Sequence, residues 1–196
     1  MRPESYTRPE YVAAFRELAA RIAASLRDVA DSALPIRMYV AGGAALHFHT
    51  GERVSVDVDA TFSRRIALPD GLDVAYRDED GAARLLYFDR QYNDTLGLIH
   101  EDAQDDSIPL ALEGIDPGVL DVRILTPLDL AVSKLGRFSE QDRADIAALA
   151  RRGLVNASDL ERRAIQALDV YVGDTQRLRG TIASAVEIVA ASTPKA

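Results

Sequence analysis

Asp57 and Asp59 close a run, Arg53-Val-Ser-Val-Asp-Val-Asp59, in which polar and apolar residues alternate strictly. A period of two puts Arg53, Ser55, Asp57 and Asp59 on one face of a strand and Val54, Val56 and Val58 on the other. Two carboxylates so arranged sit roughly 7 Å apart at the backbone and repel each other. A hard divalent cation between them removes the repulsion. Mg²⁺ suits the place, because it takes a few carboxylates and completes its shell with substrate phosphates. A pair of such ions can clamp both oxygens of an in-line displacement. The chemistry this pattern fits is transfer at phosphorus. The same Asp-x-Asp on the solvent face of an edge strand is also an ordinary surface pattern, so its neighbours decide.

Gly42 and Gly43 follow the apolar stretch Ile36–Val40 and open a predicted helix. Bare backbone at a helix N-terminus offers N–H groups and room to a triphosphate. Paired glycines alone mark a turn more often than a site. The order strand, Gly-Gly, helix and then an Asp-x-Asp strand is more specific. Arg53 suits a phosphate or a carboxylate partner, and Ser55 can donate to phosphate or merely satisfy the strand surface.

Lys134 stands out because the chain holds 21 arginines and 2 lysines, the other being the penultimate residue. An ammonium is a compact point charge suited to phosphate; the alternative is a surface lysine with a buried stem. Asp142 and Asp145 share a face of a predicted helix, as site residues or as surface partners of Arg137 and Arg143. His47 and His49 are two apart on a helix and cannot share a face, so they read as packing or surface residues and not as a metal pair. Tyr76, Tyr87, Phe88 and Tyr92 read as sheet packing before base stacking.

The elements that must hold these residues follow from periodicity. Residues 9–31 carry Val12, Phe15, Leu18, Ala19, Ile22, Leu26 and Val29 at helical spacing, with Pro9 near the start and Pro35 ending the region. A strand at Ile36–Val40 runs into the Gly-Gly helix, which continues through His49 and stops at Gly51. Further strands are predicted at Leu72–Tyr76, Ala83–Phe88, Thr95–Ile99 and Val119–Leu125, with a tight turn at Asp80-Gly81. Thr126-Pro-Leu-Asp129 is a helix start with Thr as N-cap, leading a helix with Leu128, Ala131, Leu135 and Phe138 on one face. Residues 140–152, 158–172 and 174–191 read as three more helices, the first ending at Gly153. The expectation is an α+β fold: a catalytic domain over 1–125, built of an N-terminal helix and a mixed sheet flanked by helices, and a C-terminal helical bundle over 126–196 that completes the site.

Composition narrows the classes. The chain has 196 residues, 47% of them hydrophobic, and no cysteine, which excludes disulfides and Cys-based zinc sites. With 3 histidines, a metal would be a hard cation on carboxylates. No apolar run of membrane-spanning length and no leader-like N-terminus are visible, which points to the cytoplasm. The net charge of −8 argues against a general nucleic-acid coat protein. Residues 70–121 hold 14 acidic and 3 basic residues, whereas the remainder balances at +3. A phosphate-bearing substrate would avoid that acidic stretch, which also reads simply as solvated, loop-rich surface.

Val40-Ala-Gly-Gly-Ala-Ala-Leu46 and Thr50-Gly-Glu-Arg-Val-Ser-Val-Asp-Val-Asp59 together resemble the AbiEii/MenT-like branch of the DNA-polymerase-β nucleotidyltransferase superfamily. Leu125-Thr-Pro-Leu-Asp-Leu-Ala-Val-Ser-Lys134 and Asp142-Arg-Ala-Asp145-Ile resemble the lysine-bearing helix and D-x-x-D element of that branch. The resemblance covers residues 38–62 and 122–150. It implies a polymerase-β-like fold and a nucleotidyltransferase that moves a nucleoside monophosphate from an NTP. Asp57 and Asp59 would hold Mg²⁺ or Mn²⁺; Gly42, Gly43, Arg53, Ser55 and Lys134 would bind the nucleotide; Asp142 or Asp145 would orient Lys134 or the substrate. It further implies the toxin of a bacterial toxin–antitoxin pair, with a cognate antitoxin as partner and RNA, such as a tRNA 3′ end, as acceptor. Arg64–Arg65, Arg151–Arg152 and Arg162–Arg163 are the clusters that could carry RNA backbone. The alternatives are transfer to a protein hydroxyl or small molecule, or an inert binding partner of the same fold. A hydroxyl at Ser55 could be a point of control, since a phosphate there would repel metal and triphosphate. A third carboxylate, expected of many such enzymes on a later strand, would be Asp121.

Overall fold

The computed structural model describes residue 1, residues 6–93 and residues 97–194. The chain divides into two compact units, Met1–Tyr92 with Ser107–Ile124, and Asn93–Asp106 with Leu125–Ala196.

The first unit opens with α1 (Pro9–Ser25), which has Pro at its start, Glu10 in its first turn and a buried stripe of Tyr11, Ala14, Phe15, Leu18, Ala19 and Ile22. The stripe begins at Tyr11, one residue before the expected Val12. The helix also ends six residues early. Beyond the buried Leu26, residues 27 and 28 are exposed, so no apolar face continues to hold another turn. Then come β1 (Ile36–Val40) and α2 (Gly42–Thr50), the latter capped by Gly51 at φ 71. β2 (Asp57–Val58), β3 (Ala60–Phe62), β4 (Asp73–Arg77), β5 (Ala83–Phe88), β6 (Ile108–Pro109) and β7 (Leu120–Ile124) complete the unit.

These strands form two mixed sheets, ordered β3-β1-β7-β6 and β2-β5-β4. β1 runs parallel to β7 and antiparallel to β3, while β2 runs parallel to β5. The β4–β5 hairpin turns where predicted. Gly81 sits at φ 77, and the Asp78 carboxylate accepts from the Ala82 N–H at 2.9 Å and the Arg84 Nε–H at 2.7 Å. α1 packs on the second sheet, and Phe15 meets Phe48 of α2 edge-on at 5.0 Å.

The continuous strand expected over residues 53–60 does not form. The chain changes partner at Asp59: Asp57 and Val58 bond β5, whereas Ala60–Phe62 bond β1. The expected faces break with it, for Val56 is 59% exposed and Ser55 is buried. No single pleat spans the segment, so a period of two cannot hold across it.

In the second unit α3 (Pro127–Ser133), α4 (Glu140–Arg151), α5 (Ala157–Leu168) and α6 (Thr175–Ser192) form the helical bundle. Each begins on a polar cap. Thr126, Ser139, Asn156 and Asp174 accept from the N–H three residues on, at 3.0, 3.2, 2.9 and 3.0 Å. α6 packs on α4 and α5, and α3 packs on the same two. Leu130, Leu135, Ile146, Leu149, Leu160, Leu178, Ile182 and Val189 are buried in this unit. α3 is shorter than its apolar spacing suggested. Its last turn tightens, Leu135 N–H bonding Val132 O at 3.0 Å, and Phe138 takes φ 52, which ends helical geometry before residue 138. α5 likewise stops at Leu168, ahead of the exposed Val172. Of the strand expected at Thr95–Ile99, residues 95 and 96 lie outside the described residues, and residues 97–99 are not in a strand.

Candidate active site

In the first unit Gly42, Gly43, Arg53, Ser55, Asp57 and Asp59 come together. Gly42 sits at φ 57, and a Cβ there would lie 1.9 Å from Asp59 Oδ2. On Gly43 it would lie 2.7 Å from Ser55 Oγ and 2.9 Å from an Arg53 guanidinium nitrogen. The space beside the glycines is therefore filled by this chain's own polar side chains, where the sequence had suggested open room. Only glycine lets the Asp59 carboxylate lie against the start of α2, and the positive end of the helix favours an anion there. The Ser55 hydroxyl donates a short hydrogen bond to Asp57 Oδ1.

Backbone bonds on both sides pin the aspartates. Ala41 N–H bonds Asp59 O at 2.8 Å, while Tyr87 and Asp89 N–H bond Val56 and Val58 O at 3.0 and 3.1 Å. The break in the strand is thus what places Asp57 against one sheet and Asp59 against the other.

His47 fixes the entry to this segment. Its Nε2 accepts from Arg8 N–H at 3.0 Å, so Nδ1 carries the proton toward Arg53 O at 3.1 Å. It is fully buried, and burial lowers its pKa to about 4, the backbone bond to Arg53 opposing in part and the Arg8 charge reinforcing the drop. Of the packing and surface roles the sequence left open for the two histidines, packing is the one observed, for His49 is buried as well. Tyr11 is not among the residues that the sequence singles out, where the spacing predicts an apolar face of the first helix beginning at Val12. Its hydroxyl is buried with no hydrogen-bond partner among the described residues. Burial first, then Tyr76 and Asp57, raise its pKa, the Ser55 backbone and the Arg53 charge opposing in part, so it stays protonated near Asp57.

The donor set offered to a metal is two half-buried carboxylates, all hard oxygen. Among the described residues no cluster of three or more His, Asp or Glu forms a metal site. Such a set fits Mg²⁺, which leaves most positions to water and phosphate. Asp121 does not join it. It faces Arg37 across the β1–β7 ladder, whereas Asp59 lies beyond Val40 at the other end of β1. That separation, four residues from Arg37 to Ala41, is about 13 Å along the strand. Asp121 instead takes Arg123 at 3.2 Å and Arg37 at 3.9 Å.

In the second unit Lys134, at the end of α3, is 6% exposed and bonds Asp145 Oδ2 at 2.6 Å. Asp142 Oδ1 lies 3.9 Å from the same ammonium. Gln141 Nε2 donates to Asp145 at 2.9 Å. Asp142 is the acid of a capping box with Ser139 and also takes both arms of Arg137 at 2.8 Å. Burial pushes its pKa up, but the Arg137 fork and the Ser139 hydroxyl and N–H outweigh it and hold it at about 2. Lys134 is therefore a buried cation within a carboxylate pair, and not a snorkelling surface lysine.

The basic clusters divide. Arg64, Arg65, Arg151 and Arg152 are exposed. Arg162 pairs with Asp159 at 2.6 Å. Arg163, 13% exposed, is held by Asp129 at 2.8 Å and Asp106 at 2.6 Å, so its charge is spent inside the protein. No helix among the described residues is long and apolar enough to cross a membrane.

Residues 17–181 match the model of a family described as nucleotidyltransferases of unknown function, DUF6036. The match takes in every site residue from Gly42 to Asp145. It supports the nucleotidyltransferase part of the sequence resemblance and not the AbiEii/MenT-like branch in particular. No curated protein matches the chain. With most of its length inside the match, the chain belongs to the DUF6036 family of nucleotidyltransferases.

Proposed function

We propose that this chain is a Mg²⁺-dependent nucleotidyltransferase that moves a nucleoside monophosphate from an NTP to the end of an RNA, as the toxin of an AbiEii/MenT-like toxin–antitoxin pair. The observation that carries the reading is the seating of the Asp59 carboxylate against Gly42, beside Asp57 and its Ser55 donor.

Asp57 and Asp59 would hold the cation. When bound, it would neutralise the triphosphate and stabilise charge developing on the phosphoryl oxygens. The N–H groups at the start of α2 are what Gly42 and Gly43 offer the phosphates, and Arg53 adds a guanidinium. Lys134 is assigned to phosphate and Asp145 to orienting it. An RNA hydroxyl oxygen attacks the α-phosphorus, a new P–O ester bond forms, the bond to pyrophosphate breaks, and the hydroxyl proton passes to water.

The test is incubation with Mg²⁺ and each labelled NTP, with total tRNA or total protein as acceptor. Label in RNA, lost in Asp57→Ala, is the expected result. Label in protein would replace the acceptor. No transfer to either, together with no Mg-NTP binding, would overturn the reading.

A further inference from the structure

β3 leads directly away from Asp59, and its residues form one wall of a pocket of about 250 Å³. The end of β5 and the turn after it also line the pocket, through Phe88, Asp89, Arg90 and Tyr92, and the Asp89 N–H is bonded to Val58 O at 3.1 Å. The pocket is therefore anchored through both segments to the residues that flank Asp59.

Its lining combines two chemistries. The half-buried Phe62 is backed by the buried Phe88, their rings stacked at 5.8 Å with 28° between the planes, and the half-buried Tyr92 lines the same pocket. Arg64, Arg65 and Arg90 line the same pocket, all three exposed, against a single acid, Asp89. The Arg90 guanidinium is steadied by the Pro69 carbonyl and keeps donors to spare. This excess of cations stands out in a chain of net charge −8. Aromatic faces beside arginines are how single-stranded nucleic acid is held, base on ring and backbone on cation.

We infer that this pocket is the acceptor subsite of the proposed transferase and takes one nucleotide of a single-stranded RNA, its base against Phe62 and Tyr92 and its phosphates against Arg64, Arg65 and Arg90. The inference rests on the nucleotidyltransferase reading above. The pocket is smaller than the usual small-molecule site, which fits one base of a strand passing through and not a whole enclosed ligand. The donor NTP shares the chemistry of base and phosphate, so the experiment separates the two sources.

The probes are a short fluorescein-labelled single-stranded RNA of mixed sequence, read by anisotropy at several salt concentrations, and Mg-NTP, read by equilibrium dialysis. In the full chain, Arg64→Ala/Arg65→Ala is expected to weaken RNA binding at least about tenfold and to reduce the salt slope by about 1.4, roughly 0.7 per phosphate contact on a single strand. Tyr92→Ala is expected to weaken it by about fivefold or more with the slope unchanged, because stacking releases no counterions. Neither change should alter Mg-NTP binding. RNA binding that is absent in the unaltered protein, or unmoved by both variants, overturns the inference. Loss of Mg-NTP binding in the arginine variant assigns the pocket to the donor and also overturns it. Failure of the unaltered protein to bind Mg-NTP at all counts against the underlying transferase reading, not against the pocket.

Discussion

At the scale of residues, the buried Lys134–Asp145 pair separates a structural role from a chemical one. Removing one member of a buried ion pair leaves an uncompensated charge and costs about 3–5 kcal/mol, whereas replacing both by apolar residues is often neutral. Lys134→Met should accordingly lower stability by about that much in urea unfolding, and Lys134→Met/Asp145→Leu should recover most of it. If Lys134 serves phosphate, the double variant folds and still transfers nothing. Transfer restored by the double variant would show that the lysine only neutralised Asp145. Gly42→Ala poses the complementary case. A methyl 1.9 Å from Asp59 Oδ2 displaces the carboxylate, and a non-glycine residue at φ 57 adds about 1–2 kcal/mol of strain. The expected result is a modest fall in melting temperature with loss of Mn²⁺ binding; unchanged Mn²⁺ affinity would remove Asp59 from the metal site. Lys134 was legible because lysine is rare here, and the glycines because a strand and helix flank them. Tyr11 gave no signal, since a tyrosine on an apolar stripe looks like core until its hydroxyl is found unpartnered near Asp57.

At the scale of elements, local chemistry was readable and pairing was not. The start of α3 is written in Thr126 and Pro127, and the end of α2 in Gly51, because caps and left-handed turns are decided by neighbouring residues. The split of residues 53–60 between β1 and β5 is decided by partners distant in sequence. Alternating valines describe one continuous strand equally well. Asp142 shows two levels meeting: the helix needs it as a capping-box acid, and its carboxylate also gathers Arg137 and lies 3.9 Å from Lys134. Ser139→Ala should cost about 1 kcal/mol through the lost cap, measured by urea unfolding, with transfer retained. A large loss of transfer at preserved stability would instead mean that Ser139, through Asp142, positions Lys134.

At the scale of the whole molecule, two buried groups, His47 and Asp142, contribute to the fold's response to acid in two separate windows. His47 is neutral when folded, with its pKa at about 4 against an ordinary 6.5. Between those values the unfolded chain binds a proton that the folded protein refuses. Stability therefore falls as pH drops from 6.5 to 4 and levels off below, a loss of about 3 kcal/mol. Asp142, held at about 2 against an ordinary 3.8, stabilises the fold above 3.8, and about 2 kcal/mol of that is lost as pH falls toward 2. His47→Gln offers a donor and an acceptor without a titrating ring, so it should flatten the upper window and leave the lower one. Asp142→Asn should do the reverse, at a lower overall stability because Arg137 loses its ion pair. Urea unfolding at intervals from pH 7 to 3 reads both. The upper window also bears on the site, because the His47 ring holds the Arg53 carbonyl and so the entry to the segment carrying Ser55, Asp57 and Asp59. If His47→Gln keeps the same slope between pH 6.5 and 4, another group carries that window and His47 is not the fold's acid-sensitive clasp.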